Sequence, residues 1–374
     1  MSQLAVHSAD LDTLAARHRL RTLRPREGVD FSSNDYLALA SSPRLAAAIT
    51  AAIARGVPTG SGGSRLLRGN HPEHELLEDE AARFFGAESA LFFSSGFTAN
   101  VALFATLPQR GDLVLFDELI HASAHEGMRL GRAECRAVPH NDAQAFDDAI
   151  GQWRRGGGKG RVWLAVESLY SMDGDRAPLA ALAAIADRDG AFLLIDEAHA
   201  TGLFGVGGRG LAEALDGRDN VVTLRTCGKA LGCEGALVCA SNVFRAFLIN
   251  RGRELIFSTA PSPLMASAIR ESLRIVAEEP ERRDALWALV AAAERHLSDL
   301  GVVSTGSQIL PLVLGDDAQV MRVAAAVQDA GFDVRGIRPP TVPPGTSRLR
   351  ISLTLNAGAD DVAALAGALK DALR

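Results

Sequence analysis

The sequence predicts an α/β protein: a mostly parallel central sheet with helices on both faces, followed by a smaller C-terminal α+β domain. Three observations carry this. From about residue 75 to 260, short apolar runs alternate with helix-length segments, the rhythm of a parallel sheet covered on both sides. Runs such as VWLAVE (162–167) and AFLLID (191–196) are continuously apolar up to a terminal acid, so neither strand face is left to water. After PSPLMASAIR (261–270) the rhythm changes to a long helical region and then widely spaced strands.

The elements follow in order. Residues 3–23 have helical spacing, with Leu4, Leu11, Leu14 and Leu20 on an irregular apolar stripe that Pro25 stops. VDFSS (29–33) reads as a short strand, and a helix follows with Ser42 as cap, Pro43 in its first turn and Gly56 at its end. Then come helix ELLEDEAARFFG (75–86), strand ALFF (90–93), helix TANVALFATL (98–107) and strand DLVLFD (112–117). Strand VWLAVE, helix APLAALAAIADRDG (177–190), strand AFLLID, and strands VVTLRT (221–226) and GALVCA (235–240) complete the large sheet. A helical region from 262 to 300 leads to strand ILPLVLG (309–315), helix AQVMRVAAAVQDAG (318–331) and strand FDVRGI (332–337). The proline cluster RPPTVPPG (338–345), strand RLRISLTL (348–355) and a last helix follow. The implied division is an N-terminal helix and strand segment (1–45), a large domain (46–261) and a C-terminal domain (262–374).

Composition narrows the function classes. A 374-residue chain with 47% hydrophobic and 22% charged residues can bury a large core. Aromatics are only 5% and the net charge is -6, which disfavours a base-stacking or phosphate-backbone surface. The cysteines Cys135, Cys227, Cys233 and Cys239 include no C-x-x-C pair, so small buried thiols are expected and no metal site. The N-terminus has early acids and no apolar core of a signal peptide, and no stretch has the length of a membrane span; cytoplasmic placement is the default expectation. The stretch GQWRRGGGKGR (151–161) reads as a solvated surface turn.

Asp196, Glu197, Ala198 and His199 spell the acidic box of one class of nucleotide-driven helicases. Such motors need the phosphate loop G-x-x-x-x-G-K-S/T. The G-K pairs here, Gly158-Lys159 and Gly228-Lys229, have Trp153 and Thr223 where the first glycine belongs, and neither lysine is followed by Ser or Thr. The nucleotide reading fails. An aspartate at a strand end also suits a pyridine ring, which it keeps protonated as an electron sink; with a lysine partner this is the mark of a pyridoxal phosphate site. Lys229 lies in the glycine-flanked turn of TLRTCGKALG (223–232), just past a strand, where a desolvated amine serves as nucleophile and base. His199 can hydrogen-bond the ring's phenolic oxygen. Strand ALFF, then SSG (94–96), then a helix offers a helix N-terminus to a phosphate at Gly96. His121, after strand DLVLFD, can lie on the ring face. Each also has a plain structural reading: Asp196 as a turn cap, Lys229 as a solvated turn lysine, Ser95 as an ordinary helix cap, and His121 as a structural histidine.

Taken together, the chain resembles the α-oxoamine synthases of the fold-type I pyridoxal phosphate enzymes. FSSNDYLAL, GSGGSRLLRG, SSGFTAN, IHAS, SLYSMDGDRAPL, IDEAHATGLFG, TCGKALG, IFSTA and PPTVPPGTSRLR look like family blocks, in the family's order, over nearly the whole chain. The resemblance implies a fold-type I transferase with pyridoxal 5'-phosphate held covalently by Lys229. It assigns Asp196 to the pyridine nitrogen, His199 to the phenolic oxygen, His121 to the ring face and Ser171 to the cofactor's surroundings. Gly96, Phe97 and Thr226 fall on the phosphate side, and Thr259 reaches the phosphate of a partner subunit, which implies a homodimer with shared sites. Arg350 matches the arginine that holds the amino acid carboxylate, with Asn34, Arg21, Arg338 and Thr341 near substrate; isolated surface charges are the plainer reading of Arg338 and Arg350.

Within the family, IRPPTVPPGTSRLR and the PHND of 139–142 look most like the branch that condenses L-alanine with a pimeloyl thioester of coenzyme A or acyl carrier protein in biotin biosynthesis. The glycine- and serine-using branches would keep every cofactor residue, while a non-catalytic module would be expected to lose Lys229 or Asp196. Two departures bear on the acyl donor: Ala357 stands where the family commonly has histidine, and RLLR (65–68) differs from some members.

Overall fold

The computed structural model describes residues 3–23 and 25–374. The chain forms two compact units, one made of residues 38–171 and 176–280, the other of the described residues up to Leu37 with 172–175 and 281–374. The helix α10 (Pro263–Glu278), which the sequence division assigns to the C-terminal part, belongs to the larger unit.

The larger unit is built on a sheet of β2 (Ser89–Phe93), β3 (Leu113–Asp117), β4 (Glu134–Val138), β5 (Val162–Glu167), β6 (Phe192–Asp196), β7 (Val221–Thr226) and β8 (Ala236–Ala240). Among the described residues the strand order is β2-β8-β7-β6-β5-β3-β4. Pairing from β7 to β4 is parallel, whereas β8 runs antiparallel to both its neighbours. The α/β class and the mostly parallel sheet expected from the sequence are therefore present.

Strand alternation sorts the side chains into two layers. Val114, Trp163, Ala165, Leu194, Val222 and Leu224 pack with α4 (Gly96–Thr106) and α5 (Ala122–Leu130). Leu113, Leu115, Leu164, Leu193, Ile195 and Val221 pack with α6 (Ala143–Arg155) and α7 (Leu179–Asp189) on the other face. Three of these elements, β4, α5 and α6, are absent from the sequence reading. β4 is the edge strand and carries Glu134 and Arg136, so it lacks the apolar run that marks its neighbours. Two further helices, α2 (Pro43–Ala54) and α3 (Pro72–Phe85), pack on α10. α2 starts after Ser42 with Pro43 in its first turn, as the spacing predicts.

In the smaller unit, β9 (Ile309–Gly315), β11 (Arg335–Ile337) and β12 (Ser347–Ser352) form an antiparallel sheet in the order β11-β12-β9. The N-terminal strand β1 shrinks to Val29–Asp30 and pairs in parallel with β10 (Phe332–Asp333). The first helix, α1 (Ala5–Ala16), ends well short of Leu23. His18 takes a left-handed φ of 55°, and the N–H groups of His18 and Arg19 bond back to Ala15 and Leu14. That paired closure terminates the helix before Pro25 is reached. No residue of α1 is buried, so no packed face opposes its early end.

Candidate active site

The C-terminal ends of β5, β6 and β7 carry the chemistry. Alternation puts Asp196 on the same face as Leu194, toward α4 and α5, and turns its neighbour Glu197 toward the opposite layer. Asp196 Oδ2 accepts from Asn100 Nδ2 at 2.7 Å, and its Oδ1 accepts from the Ala198 N–H at 2.9 Å. The acid thus does cap its own turn, but one of its two oxygens is directed into the α4 layer.

Lys229 sits in the turn between β7 and β8. That turn is tied by the Gly232 N–H to Lys229 O and by the Cys233 N–H to Cys227 O. Lys229 Nζ lies 2.6 Å from Nε2 of the buried His199. The lysine is half-buried and engaged with the histidine of the acidic box, not a freely solvated turn residue.

α4 begins beside the end of β7. A Cβ built on Gly96 would touch Thr226 Oγ1 at 3.5 Å. The Thr98 N–H is taken by the Ser95 cap, while the first-turn N–H groups of Gly96 and Phe97 have no acceptor within the helix. Phe97 is 51% exposed. This is a small, donor-rich seat for an anion.

His121 is the N-cap of α5, and its Nδ1 lies 2.8 Å from Ser123 Oγ. Loss of surrounding water holds its pKa below the ordinary histidine value; Asp196 pulls the other way, and Lys229 and His125 reinforce the depression. Asn100 donates to Ser123 Oγ at 3.0 Å as well as to Asp196.

Glu167 pairs in register with Asp196 on the adjacent strand. It is buried, and its Oε1 has no hydrogen-bond partner. Burial pushes its carboxyl well above the usual range; the Asp196 charge adds to this, Lys229 and the Ser171 N–H oppose it, and Asp117 adds again. Asn100, Ser123 and Glu167 are not among the candidates the sequence offers. The available signal is polarity out of place: an Asn inside the apolar helix GFTANVALFAT, and an acid ending the apolar strand VWLAVE.

Glu197 has a structural task. With Arg225 and Asp216 it forms a buried ion triad, Arg225 Nη1 to Glu197 Oε2 at 3.2 Å and Arg225 Nη2 to Asp216 Oδ2 at 2.7 Å. Arg225 also donates to Arg209 O, and the Ala212 N–H donates to Glu197. Gly210 passes so close that a Cβ there would lie 1.6 Å from Glu197 Oε2. The triad pins the 205–212 loop beneath the acidic box. Removing the cation leaves two buried carboxylates without their shared partner, so Arg225→Ala should cost about 3–5 kcal/mol of stability. Denaturant unfolding checks this; a loss under about 1 kcal/mol, typical of an exposed pair, would show the triad does not hold the loop.

The PHND segment is likewise structural. His140 Nδ1 meets buried Asp117 at 2.9 Å, the Asn141 N–H donates to the same carboxylate, and the His140 ring stands edge-on to Tyr170 at 4.5 Å. Ser171 follows this Tyr.

In the smaller unit, Arg350 is buried, not a surface charge. Its guanidinium bonds Ser352 Oγ at 2.6 Å, Asn34 Oδ1 at 3.0 Å and Tyr36 Oη at 3.3 Å, so two of the substrate candidates are joined. Arg338 lies just past the end of β11, donates to His18 O and has its pKa lowered by desolvation and by the Arg21 and Arg19 charges; Thr341 N bonds Arg338 O at 3.1 Å. Arg338, Arg21 and Thr341 thus share one loop region, apart from the Arg350 bonds. Thr259 is exposed on the segment after α9 (Arg253–Ile256), and no hydrogen bond among the described residues joins it to the Lys229 cluster.

Comparison with known proteins gives a consistent result. The aminotransferase class I and II family matches residues 26–368. An 8-amino-7-oxononanoate synthase from Anaeromyxobacter dehalogenans is 42% identical, covering 96% of this chain and 94% of the relative. A serine palmitoyltransferase variant from S. paucimobilis, solved with a bound PLP–myriocin aldimine, superposes with a TM-score of 0.90 at 26% identity, covering 99% and 97% of the two chains. An 8-amino-7-oxononanoate synthase from Francisella tularensis superposes at 0.76 with 26% identity, covering 92% and 98%.

Proposed function

The chain belongs to the aminotransferase class I and II family, and from that premise we propose that it uses pyridoxal 5'-phosphate to condense L-alanine with a pimeloyl thioester. The products are 8-amino-7-oxononanoate, carbon dioxide and the free thiol, a step of biotin biosynthesis. The observation that carries the reading is the meeting of Lys229, His199 and Asp196 at two adjacent strand ends, in a chain 42% identical to such a synthase.

The residues present fit the cofactor. A carboxylate with one oxygen on an adjustable amide, an amine on an imidazole, a donor-rich helix N-terminus at Gly96 and Phe97, and a buried acid with one unbonded oxygen lie on one sheet face. When bound, pyridoxal phosphate supplies an electron sink for a carbanion next to the amino nitrogen. Asp196 would hold the ring-nitrogen proton, His199 would bond the phenolic oxygen, His121 would cover the ring, and Ser171 would sit near the cofactor. Gly96, Phe97 and Thr226 seat the phosphate. Lys229 anchors the cofactor, and its amine takes the α-proton of the amino acid and later returns one. Arg350 binds the amino acid carboxylate, for which its planar fork is suited, with Asn34 beside it. Arg21, Arg338 and Thr341 serve the acyl side.

We also read the protein as a homodimer in which Thr259 completes the partner's phosphate site. Phe97, Leu66, Leu67 and Phe257 support this: all are at least half exposed, Leu67 84% and Phe257 72%, and the 65–69 turn packs on α9. Such apolar exposure marks an association surface. No helix among the described residues is long and apolar enough to cross a membrane, and cytoplasmic placement is part of the proposal.

The test is a visible absorption titration with L-alanine, glycine and L-serine. A cofactor band perturbed at the lowest concentration by L-alanine is the expected result. Preference for serine or glycine would move the chain to another branch; no band after added pyridoxal phosphate would overturn the proposal.

A further inference from the structure

Between Asp196 and His121 runs a short polar chain that no part of the catalytic account uses. Asn100 lies one turn into α4 from Gly96, 4% exposed, among Ala99, Val101, Ala102 and Leu103. Its Nδ2 is 2.7 Å from Asp196 Oδ2 and 3.0 Å from Ser123 Oγ; Ser123 Oγ is in turn 2.8 Å from His121 Nδ1.

The direction of every bond in this chain follows from what each atom can do. A carboxylate only accepts, so the amide nitrogen of Asn100 must face Asp196. The second N–H of the same nitrogen points at Ser123 Oγ, which accepts it. The Ser123 proton is then free to be donated onward, and His121 Nδ1 is the atom within reach. The Ser123 N–H also points at Nδ1, at 3.3 Å. Two donors converge on Nδ1, so that nitrogen carries a lone pair and no proton.

We propose that Asn100 is a positioning residue that sets the Asp196 carboxylate with one N–H and, through Ser123, fixes His121 as the neutral tautomer protonated at Nε2. One side chain on the helix that would seat the phosphate thereby orders both the acid and the ring-covering imidazole. This rests on the proposed assignment of Asp196 and His121 to the cofactor. Loss of surrounding water leaves the His121 imidazole less readily protonated than usual, in keeping with a donor-filled Nδ1; of the charged groups bearing on it, Asp196 opposes this and Lys229 and His125 add to it.

The experiment is 15N NMR of histidine-labelled protein loaded with pyridoxal phosphate, with His121 assigned by its loss in His121→Gln, alongside kcat and KM. The expected wild-type pattern is a neutral imidazole protonated at Nε2, resisting protonation on the acid side of pH 7. Ser123→Ala removes the O–H donor and leaves Asp196 bonded; His121 should then titrate at higher pH. Asn100→Ala should release both ends. In that variant kcat should fall about 10- to 100-fold, the scale for losing an orienting bond behind a reacting group, while KM for L-alanine moves less than about threefold. A wild-type His121 protonated at Nδ1, or a titration unchanged in both variants, overturns the proposal. Failure of the functional reading looks different: no cofactor band forms, and His121 keeps the same tautomer and the same response to Ser123→Ala in unloaded protein.

Discussion

Lys229→Ala is expected to lose steady turnover altogether while the fold is kept. The lysine is half-buried in a turn whose backbone bonds, Gly232 to Lys229 and Cys233 to Cys227, do not involve its side chain, so truncation leaves the turn closed. What goes is the amine 2.6 Å from His199. That amine has two tasks, anchoring the cofactor and moving the α-proton, and proton transfer alone is worth up to about 10⁴-fold. The rate should therefore drop by at least that factor, with circular dichroism unchanged and the visible band of a lysine-bound cofactor gone. Steady turnover within about tenfold of the parent would remove Lys229 from the chemistry.

Asp196→Asn should produce the second-largest effect. The substitution keeps the shape, and the oxygen of the new amide can still accept from Asn100 or from the Ala198 N–H, so the turn is kept. The negative charge is not, and a neutral amide cannot hold a protonated ring nitrogen against developing charge. Losing a preorganised electrostatic partner of this kind costs about 10²–10³-fold in kcat. The separating measurement is to compare KM with kcat: a loss confined to KM would make Asp196 a binding group only. The neighbouring Glu167 is a poor substitute, because burial holds its carboxyl well above the usual range.

The sheet and its strand ends are readable because buried parallel strands advertise themselves as unbroken apolar runs, and the terminal letters of those runs, Asp196 and Thr226, are where the chemistry begins. Period-two alternation even separates Asp196 from Glu197 once the face of Leu194 is known. What stays hidden depends on partners far apart in the chain. Asn100 meets Asp196 across 96 residues, and nothing local to either announces the bond. The edge strand β4 escapes because its outer positions are charged, and α1 reads too long because a left-handed His18 has no marker as visible as glycine. The PHND block, which the resemblance used as a mark of the branch, works through the scaffold: its His140 fastens to Asp117 at the end of β3.

The placement of β8 also constrains the order in which the chain can be completed during synthesis. β2 is the first strand of the large sheet to leave the ribosome, yet among the described residues its sheet partner is β8, whose register from Ala236 to Ala240 is translated more than a hundred residues later. Until then β2 has an unpaired edge on each side, the state most exposed to wrong pairing. β1 waits longer still, for Phe332 and Asp333. A nascent chain halted after residue 280 has every segment of the larger unit, whereas the smaller one must recruit its first strand from the far end of the polypeptide. Ribosome-stalled chains should accordingly gain protease resistance in two steps, the first only after β8 has cleared the exit tunnel.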